Sequence, residues 1–503
     1  VARGDVGWQR RWLAALALAL VVALAAAGGV RAHANLERAD PPPGAVLETA
    51  PSELRLWFSE PIEPRFSSVE VLDRQGQKAP VGTLQIANSA GTEVVVPLPA
   101  LPSGTYTVSW RALSRVDGHV TQGLYPLTIG LDQAPAAPLA TVATSQPVGP
   151  LDVLARWVNY LAAALLLGAL AFGRLVAQPG LSGRVPAALA ARIVGWLRRL
   201  ALLGVGGLAL GALLLLWMQV GQASGVGAAA ALRPDLWRDV LGTRFGPLWG
   251  LRLASIVALA ALALALFPRQ GWSGRGAAPA PPGARAAAPH PERRPAALWL
   301  LALLAGALLL ATTTLNSHAV ASQGGALAWL ADWLHLMATS VWVGGLAALV
   351  LSLAAARRAG SAARWLAAVL VARFSRLALA SVVVLILTGI YQSWLQVRTP
   401  AALVETPYGQ VLLAKLALLV PVLALGAHNY RAARRPAARV PAERVRRAVW
   451  LELGLLVVVL GLVGALTSLA PAWDVYRLAN RGLVERIAVA DLRLTLRVDP
   501  GAV

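Results

Sequence analysis

The chain has 503 residues, 57% of them hydrophobic and 14% charged, with a mean hydropathy of +0.61 and a formal net charge of +21. A soluble chain carries roughly a quarter charged residues, and here the apolar excess is blocked into long runs, so a membrane protein is expected. Cysteine is absent and methionine occurs only at Met218 and Met337, which excludes disulfides, zinc–thiolate sites, thiol redox chemistry and a methionine-rich site for a soft metal.

Behind Arg10 and Arg11, residues 11–30 form an apolar run that leads into Val30-Arg31-Ala32 and then His33. The short side chains of Val30 and Ala32 fit a signal-peptidase site, so residues 1–32 read as a signal peptide and His33 as the first residue of the mature protein. Residues 33–130 hold seven Lys/Arg against ten Asp/Glu. The basic excess therefore lies elsewhere, and nucleic acid is not an expected partner. Short alternating runs occur at Leu54–Phe58, Ser68–Leu72, Glu93–Val96, Thr105–Arg111 and Leu124–Ile129. Turn signals such as Pro41-Pro42-Pro43-Gly44, Pro102-Ser103-Gly104 and Asp117-Gly118 separate them. The pattern predicts an all-β domain, a Greek-key sandwich or small barrel. Residues 131–150, rich in Ala, Pro, Thr and Ser, read as a flexible linker.

From 151 to 470 the sequence predicts an α-helical polytopic domain of eight transmembrane helices, at about 153–177, 199–220, 247–267, 297–316, 327–353, 376–396, 409–430 and 448–470. The loops after the first, third, fifth and seventh spans hold 21 arginines, from Arg184 to Arg447. The opposite loops hold only Arg233, Arg238, Arg244 and Arg398. The positive-inside rule puts the arginine-rich loops in the cytoplasm. The β-domain and the C-terminus are then expected on the periplasmic or extracellular side of a bacterial plasma (inner) membrane. The loop 268–296, rich in Pro, Ala, Gly and Arg, is expected to be disordered. In the exported tail 471–503, Arg486–Val498 alternates like one strand with nothing following to pair with it, as in an accessory β-domain cut short.

Six histidines occur in the chain. His290 lies in the arginine-rich loop and has no evident partner. A mature N-terminal His33 offers its α-amine and its imidazole in one chelate ring, and Asp117-Gly118-His119 adds a second imidazole and a carboxylate. Nitrogen-rich and free of sulfur, the set suits Cu(II) in a tetragonal site. The plainer alternative is a surface histidine in an ordinary Asp-Gly turn. Within the spans, Asp332 and His335 are three residues apart and share a helix face. His318 ends the preceding span on the exported side, so His318, Asp332 and His335 are a candidate metal entry, against a purely structural Asp–His hydrogen bond. At the cytoplasmic side His428 and Glu452 are the weaker candidates for an exit. Lys415 is placed to snorkel or to neutralise an acid such as Asp332.

The stretches His33-Ala34-Asn35-Leu36, Asp40-Pro41-Pro42-Pro43-Gly44, Leu56-Trp57-Phe58-Ser59-Glu60-Pro61, Leu101-Pro102-Ser103-Gly104-Thr105-Tyr106 and Ser114…Asp117-Gly118-His119 together resemble the periplasmic copper-binding family CopC. The resemblance implies Cu(II) ligation by His33, Asp117 and His119. Thr243-Arg244-Phe245-Gly246, Ser317-His318-Ala319, Asp332-Trp333-Leu334-His335, Val341-Trp342-Val343-Gly344-Gly345 and Thr406-Pro407-Tyr408-Gly409 are similar to CopD, a membrane protein often fused to CopC. Copper import is what this second resemblance implies; Cu(II) is the expected cofactor, with Cu(I) the alternative form during transfer. No nucleotide-binding loop or phosphorylation motif is evident, so neither ATP-driven pumping nor an enzyme is expected. The partners expected are the copper ion and the lipid bilayer. Two rivals stand beside import: membrane-anchored copper sequestration without transport, and an oxygen-activating histidine–copper site, against which Asp117 would occupy a coordination position.

Overall fold

Side chains alternate across a strand, so a run with every second residue apolar folds when two such faces meet. The N-terminal unit is built this way. Its strands are β1 (Leu36–Asp40), β2 (Val46–Leu47), β3 (Glu53–Phe58), β4 (Ser68–Leu72), β5 (Lys78–Ala79), β6 (Gln85–Ile86), β7 (Glu93–Pro97), β8 (Gly104–Leu113) and β9 (Val120–Ile129). One sheet has the order β1-β3-β7-β6 and the other β2-β9-β8-β4-β5, antiparallel except for the β2–β9 pair. Leu54, Leu56, Phe58, Val94 and Val96 of the first sheet meet Val69, Val71, Val108, Trp110 and Leu127 of the second in one core. Phe58 and Trp110 join the sheets edge to face, with centroids 5.5 Å apart. The N-terminal unit is thus a β-sandwich, and the five expected runs lie in β3, β4, β7, β8 and β9, while β1 was not among them. Strands β2, β5 and β6 are two-residue edge pieces, too short to show a period.

The computed structural model describes residues 34–116, 118, 120–130, 149–181, 185–226, 229–243, 245–269, 295–315, 325–356, 360–433, 442–480, 483–489 and 492–498. The expected signal peptide, most of the linker, and His33, Asp117, His119, His290 and His318 lie outside the described residues.

The second unit contains the helices α1 (Pro150–Phe172), α2 (Ala187–Ser224), α3 (Pro234–Leu241), α4 (Phe245–Leu266), α5 (Ala296–Thr314), α6 (Gly325–Ala356), α7 (Gly360–Gln396), α8 (Pro400–Glu405), α9 (Pro407–Ala433), α10 (Ala442–Leu466) and α11 (Ala472–Ala479). Eight of them are long and apolar enough to cross a membrane, α1 continuing through a π-helical turn to Gly180. The chain is a multi-pass membrane protein. The spans of α1 and α6 are 72% and 67% buried by their neighbours, that of α9 only 11%, so the bundle is centred on the α1–α6 pair with α9 at its rim. That pair touches at Gly168 and Gly344: a Cβ on Gly344 would overlap the Ala164 carbonyl oxygen, and one on Gly168 the Gly344 backbone. Without a hydrophobic force between helices in lipid, such small-residue contacts let two backbones pack closely.

Two short amphipathic helices, α3 and α11, lie between spans or after the last one. After α11 the alternation at 486–498 is not one strand. Strands β10 (Leu483–Val489) and β11 (Leu492–Val498) pair antiparallel, with Leu483 opposite Val498 and Val489 opposite Leu492. The two strands supply each other's partner, correcting the expected single strand.

The sandwich sits on the end of the bundle. Leu113 and Val120 pack with Val220 and Ala223 of α2, Ala231, and Val240 of α3 in a separate apolar cluster. Helix α2 ends in a Schellman turn: Gly225, at φ +68°, directs its N–H to Gln222 O, and Val226 N bonds Gly221 O at 3.1 Å. Arg111 of β8 caps what remains of that end, donating to Gln222 O (2.5 Å) and Ala223 O (2.9 Å) as well as to Phe66 O within the sandwich (2.5 Å).

Candidate metal centre

The segment between β8 and β9 is held at several points. Ser114 is fully buried; its hydroxyl donates to Glu60 Oε2 at 2.5 Å and accepts from Val116 N at 3.0 Å. Arg115 N bonds Pro61 O at 2.8 Å, and Gly118 N closes onto Ser114 O at 3.1 Å. Gly118 has φ +75°, a left-handed conformation that glycine adopts without a Cβ penalty. Asp117 and His119 flank it in the chain.

The N-terminal strand reaches the same place. The buried Thr121 hydroxyl donates to Ala34 O at 2.6 Å, and Ala34 itself is fully buried. Asn35 and Ser59 exchange two hydrogen bonds, Asn35 N to Ser59 Oγ (3.0 Å) and Ser59 N to Asn35 O (2.9 Å). The residue after His33 is thereby tied to the strand that begins just after His119. Sequence reasoning quoted Ser114 and Glu60 only as matching residues and passed over Thr121. A hydroxyl at a strand start, where the burial pattern is apolar, was the available signal.

In the membrane part, His335 and Asp332 lie one turn apart on α6. His335 Nδ1 is 2.8 Å from Thr388 Oγ1 of α7, and that hydroxyl also sits 2.7 Å from Val384 O. A hydroxyl has one proton, and Val384 O can only accept. Thr388 therefore donates to Val384 O and accepts from His335 Nδ1–H, which leaves the Nε2 lone pair of the neutral ring available to a ligand. His335 lines a cavity of about 30 Å³ with Asn159, Tyr160, Thr313, Thr339 and Ser340 among others, room for one or two water-sized species. Thr313 turns that cavity toward a fixed cation: Arg252, buried in α4, donates to Thr312 (3.2 Å) and Thr313 (2.8 Å) and stacks on Trp249. Lys415 of α9 lies within electrostatic reach of both Asp332 and His335. Among the described residues no three His, Cys, Asp or Glu side chains converge as a metal cage.

At the other end the two exit candidates separate. Glu452 is buried and accepts from Asn429 Nδ2 at 3.0 Å, while the adjacent His428 is exposed. Asn429, one residue on from His428, is the side chain that faces the acid.

The architecture defines a class: a multi-pass membrane protein with a β-sandwich carried at one end of its helical bundle. Comparison with known proteins gives the particulars. Residues 36–130 match the CopC domain, 148–329 the N-terminal domain of copper resistance protein D-like proteins, and 368–466 copper resistance protein D. The copper transport protein CutJ of Bacillus subtilis (strain 168) is 29% identical over 430 residues, 85% of this chain and 73% of that one. Copper resistance protein C of Escherichia coli is 34% identical over 20% of this chain and 82% of its own. The crystal structure of CopC from Methylosinus trichosporium OB3b, 28% identical, covers 20% of this chain and 99% of that chain at a TM-score of 0.19. The chain belongs to the family of CopC–CopD fusions, copper transport and resistance proteins with both parts in one polypeptide.

Proposed function

We propose that this protein captures Cu(II) outside the membrane with His33, Asp117 and His119 and passes copper to its helical part for import. The observation that carries the proposal is the Thr121–Ala34 hydrogen bond. It ties the neighbour of His33 to the strand behind His119, which supports a ligand set of one amine, two imidazoles and one carboxylate at that corner. Consecutive Cα atoms are about 3.8 Å apart, and His33 and His119 are one and two residues from that bond in the chain, with Asp117 two residues before His119, a spacing compatible with one shared ion. Amine, imidazole and carboxylate donors without sulfur suit Cu(II) over Cu(I). The loop arginines orient this corner outward.

Beneath it, the Nε2 lone pair of His335 offers a single nitrogen ligand at membrane depth, with Asp332 and His318 as its proposed neighbours. Arg252 bears fixed positive charge near it, which opposes a resident cation and favours brief occupancy. Buried Glu452, with Asn429 rather than His428, is the proposed inner exit. No catalytic activity is assigned.

The test is a Cu(II) titration of the whole chain processed to His33, beside a form with one extra residue before His33. A clear loss of affinity in the extended form is expected, because the α-amine is then an amide; equal affinities would remove the N-terminal ligand. The rival, outer sequestration without transport, draws support from the lack of a described three-ligand cage in the helices. Radiocopper reaching spheroplast cytosol, and its loss in His335→Ala, separates the two.

A further inference from the structure

We propose that Gln219 and Phe245, both in the membrane part, are positioning residues for the turn that carries Asp117 and His119. The turn then presents copper from a clamped position, not from a domain swinging on its linker. The inference rests on the copper reading of that turn and adds to it a role for residues more than a hundred positions away.

The observations concern Gly118, whose three faces are all in use. Its N–H donates to Ser114 O of the sandwich at 3.1 Å. Its carbonyl accepts from Gln219 Nε2 of α2 at 3.0 Å. Over its Cα lies the ring of Phe245, the first residue of α4: an added Cβ would come 2.7 Å from Phe245 Cζ, 2.9 Å from Cε1 and 3.2 Å from Gln219 Nε2. Gly118 is buried as a result, although Asp-Gly turns are ordinarily surface features.

Peptide planarity converts these contacts into control of the ligands. The Gly118 N–H belongs to the rigid plane shared with Asp117, and the Gly118 C=O to the plane shared with His119. The sandwich therefore restrains Gly118 on its N–H side, and the membrane part restrains it on its carbonyl side, the side from which the chain continues to His119. A ligand set holds its geometry only when its supporting groups restrain it to about half an ångström, and here one of those groups comes from α2. Phe245 supplies the wall that keeps the turn from lifting off Gln219. It sits inside Thr243-Arg244-Phe245-Gly246, a stretch that matched the membrane family and that the proposed function leaves without a task. Thr243 anchors it, its hydroxyl accepting from Phe245 N at 3.3 Å. Arg111 and the apolar cluster around Leu113 and Val120 hold the two parts together on the same side, so the clamp is part of a continuous seat.

The experiment uses the full chain processed to His33, in lipid nanodiscs, with Cu(II) as the probe. Affinity is read by chelator competition and geometry by electron paramagnetic resonance. Gln219→Glu keeps the shape of the side chain but replaces the donor with an acceptor facing the Gly118 carbonyl. About a tenfold loss of Cu(II) affinity and a shifted copper hyperfine splitting are expected, as for one buried carbonyl left without its donor. Phe245→Leu, which keeps the helix start apolar but shortens the wall, is expected to shift the same spectrum, and reads the clamp should Gln219→Glu not fold. If both variants fold and retain wild-type affinity and spectrum, or if they only lower yield, the clamp is overturned. His119→Ala separates this from the underlying reading: copper lost in His119→Ala but unaltered by Gln219→Glu and Phe245→Leu refutes the clamp alone. Copper bound as tightly in His119→Ala as in wild type refutes the copper turn and the clamp with it.

Discussion

Replacing Arg111 with leucine tests whether the sandwich is latched to the bundle. The guanidinium is half-buried and bonds two carbonyls of the last turn of α2: Ala223 O, and Gln222 O, which also accepts from Gly225 N. Hydrogen bonds to a charged group contribute ~1.5–3 kcal/mol each, and a cation at a helix C-terminus adds ~0.3–1 kcal/mol. Burial opposes this, and it lowers the Arg111 pKa from its ordinary value, though the group stays charged at any physiological pH. The net contribution to docking is then about 2 kcal/mol, about 30-fold in the docked population. The chain has no cysteine, so nitroxide pairs can be introduced cleanly at the exposed Gln75 of the sandwich and the exposed Asp239 of α3. Pulsed dipolar spectroscopy should give one narrow distance distribution for the parent and a broadened, longer one for Arg111→Leu. Arg111→Lys, which keeps the charge but not the fork, should fall between. Identical distributions in all three would refute the latch and show that the apolar cluster alone holds the seat.

Gly344→Ala forces a methyl group into the backbone of α1 and should cost about 3 kcal/mol, the upper end for overpacking, because backbone atoms give way less than side chains; a thermal melt in detergent matching wild type would contradict the α1–α6 crossing. Thr121→Val removes the donor to Ala34 O without changing side-chain shape and should weaken Cu(II) binding about tenfold, and an unchanged titration would detach His33 from the site. Thr388→Val takes away the acceptor that orients His335, so inward copper flux should fall, less than in His335→Ala; flux equal to wild type in both would end the membrane-site proposal. Copper affinity should fall as pH drops from about 8 to 5, since protons compete for two imidazoles and the α-amine, whose ordinary pKa values are about 6.5 and 7.7–8.0; a flat profile would mean that nitrogens are not the ligands.

The two-layer plan was legible because its signals are periodic or cumulative. Val69, Val71, Val108 and Trp110 alternate with polar neighbours, a pattern that a sheet with one buried face satisfies, as in a sandwich or a small barrel. A helical span needs only length and apolarity, and Ala296–Thr314 shows both without regard to its neighbours. Edge strands such as Gln85–Ile86 were not legible, since two residues have no period. The C-terminal hairpin was misread because alternation runs on either side of Ala490-Asp491, and period alone does not say that a chain has reversed.

Composition and spacing alone therefore fixed a nitrogen- and oxygen-rich candidate ligand set, the absence of sulfur, and a membrane domain behind it. They did so because residue type sets what a group can ligate and whether a segment can enter lipid. The tertiary structure alone decided that Ala34 meets Thr121, that Glu452 meets Asn429 while His428 stays exposed, and that Gln219 and Phe245 close over Gly118. Each of these depends on a contact between residues from 23 to more than a hundred positions apart. Such contacts leave no local pattern in sequence, because the hydrogen bond that creates them exists only once both backbones are in place.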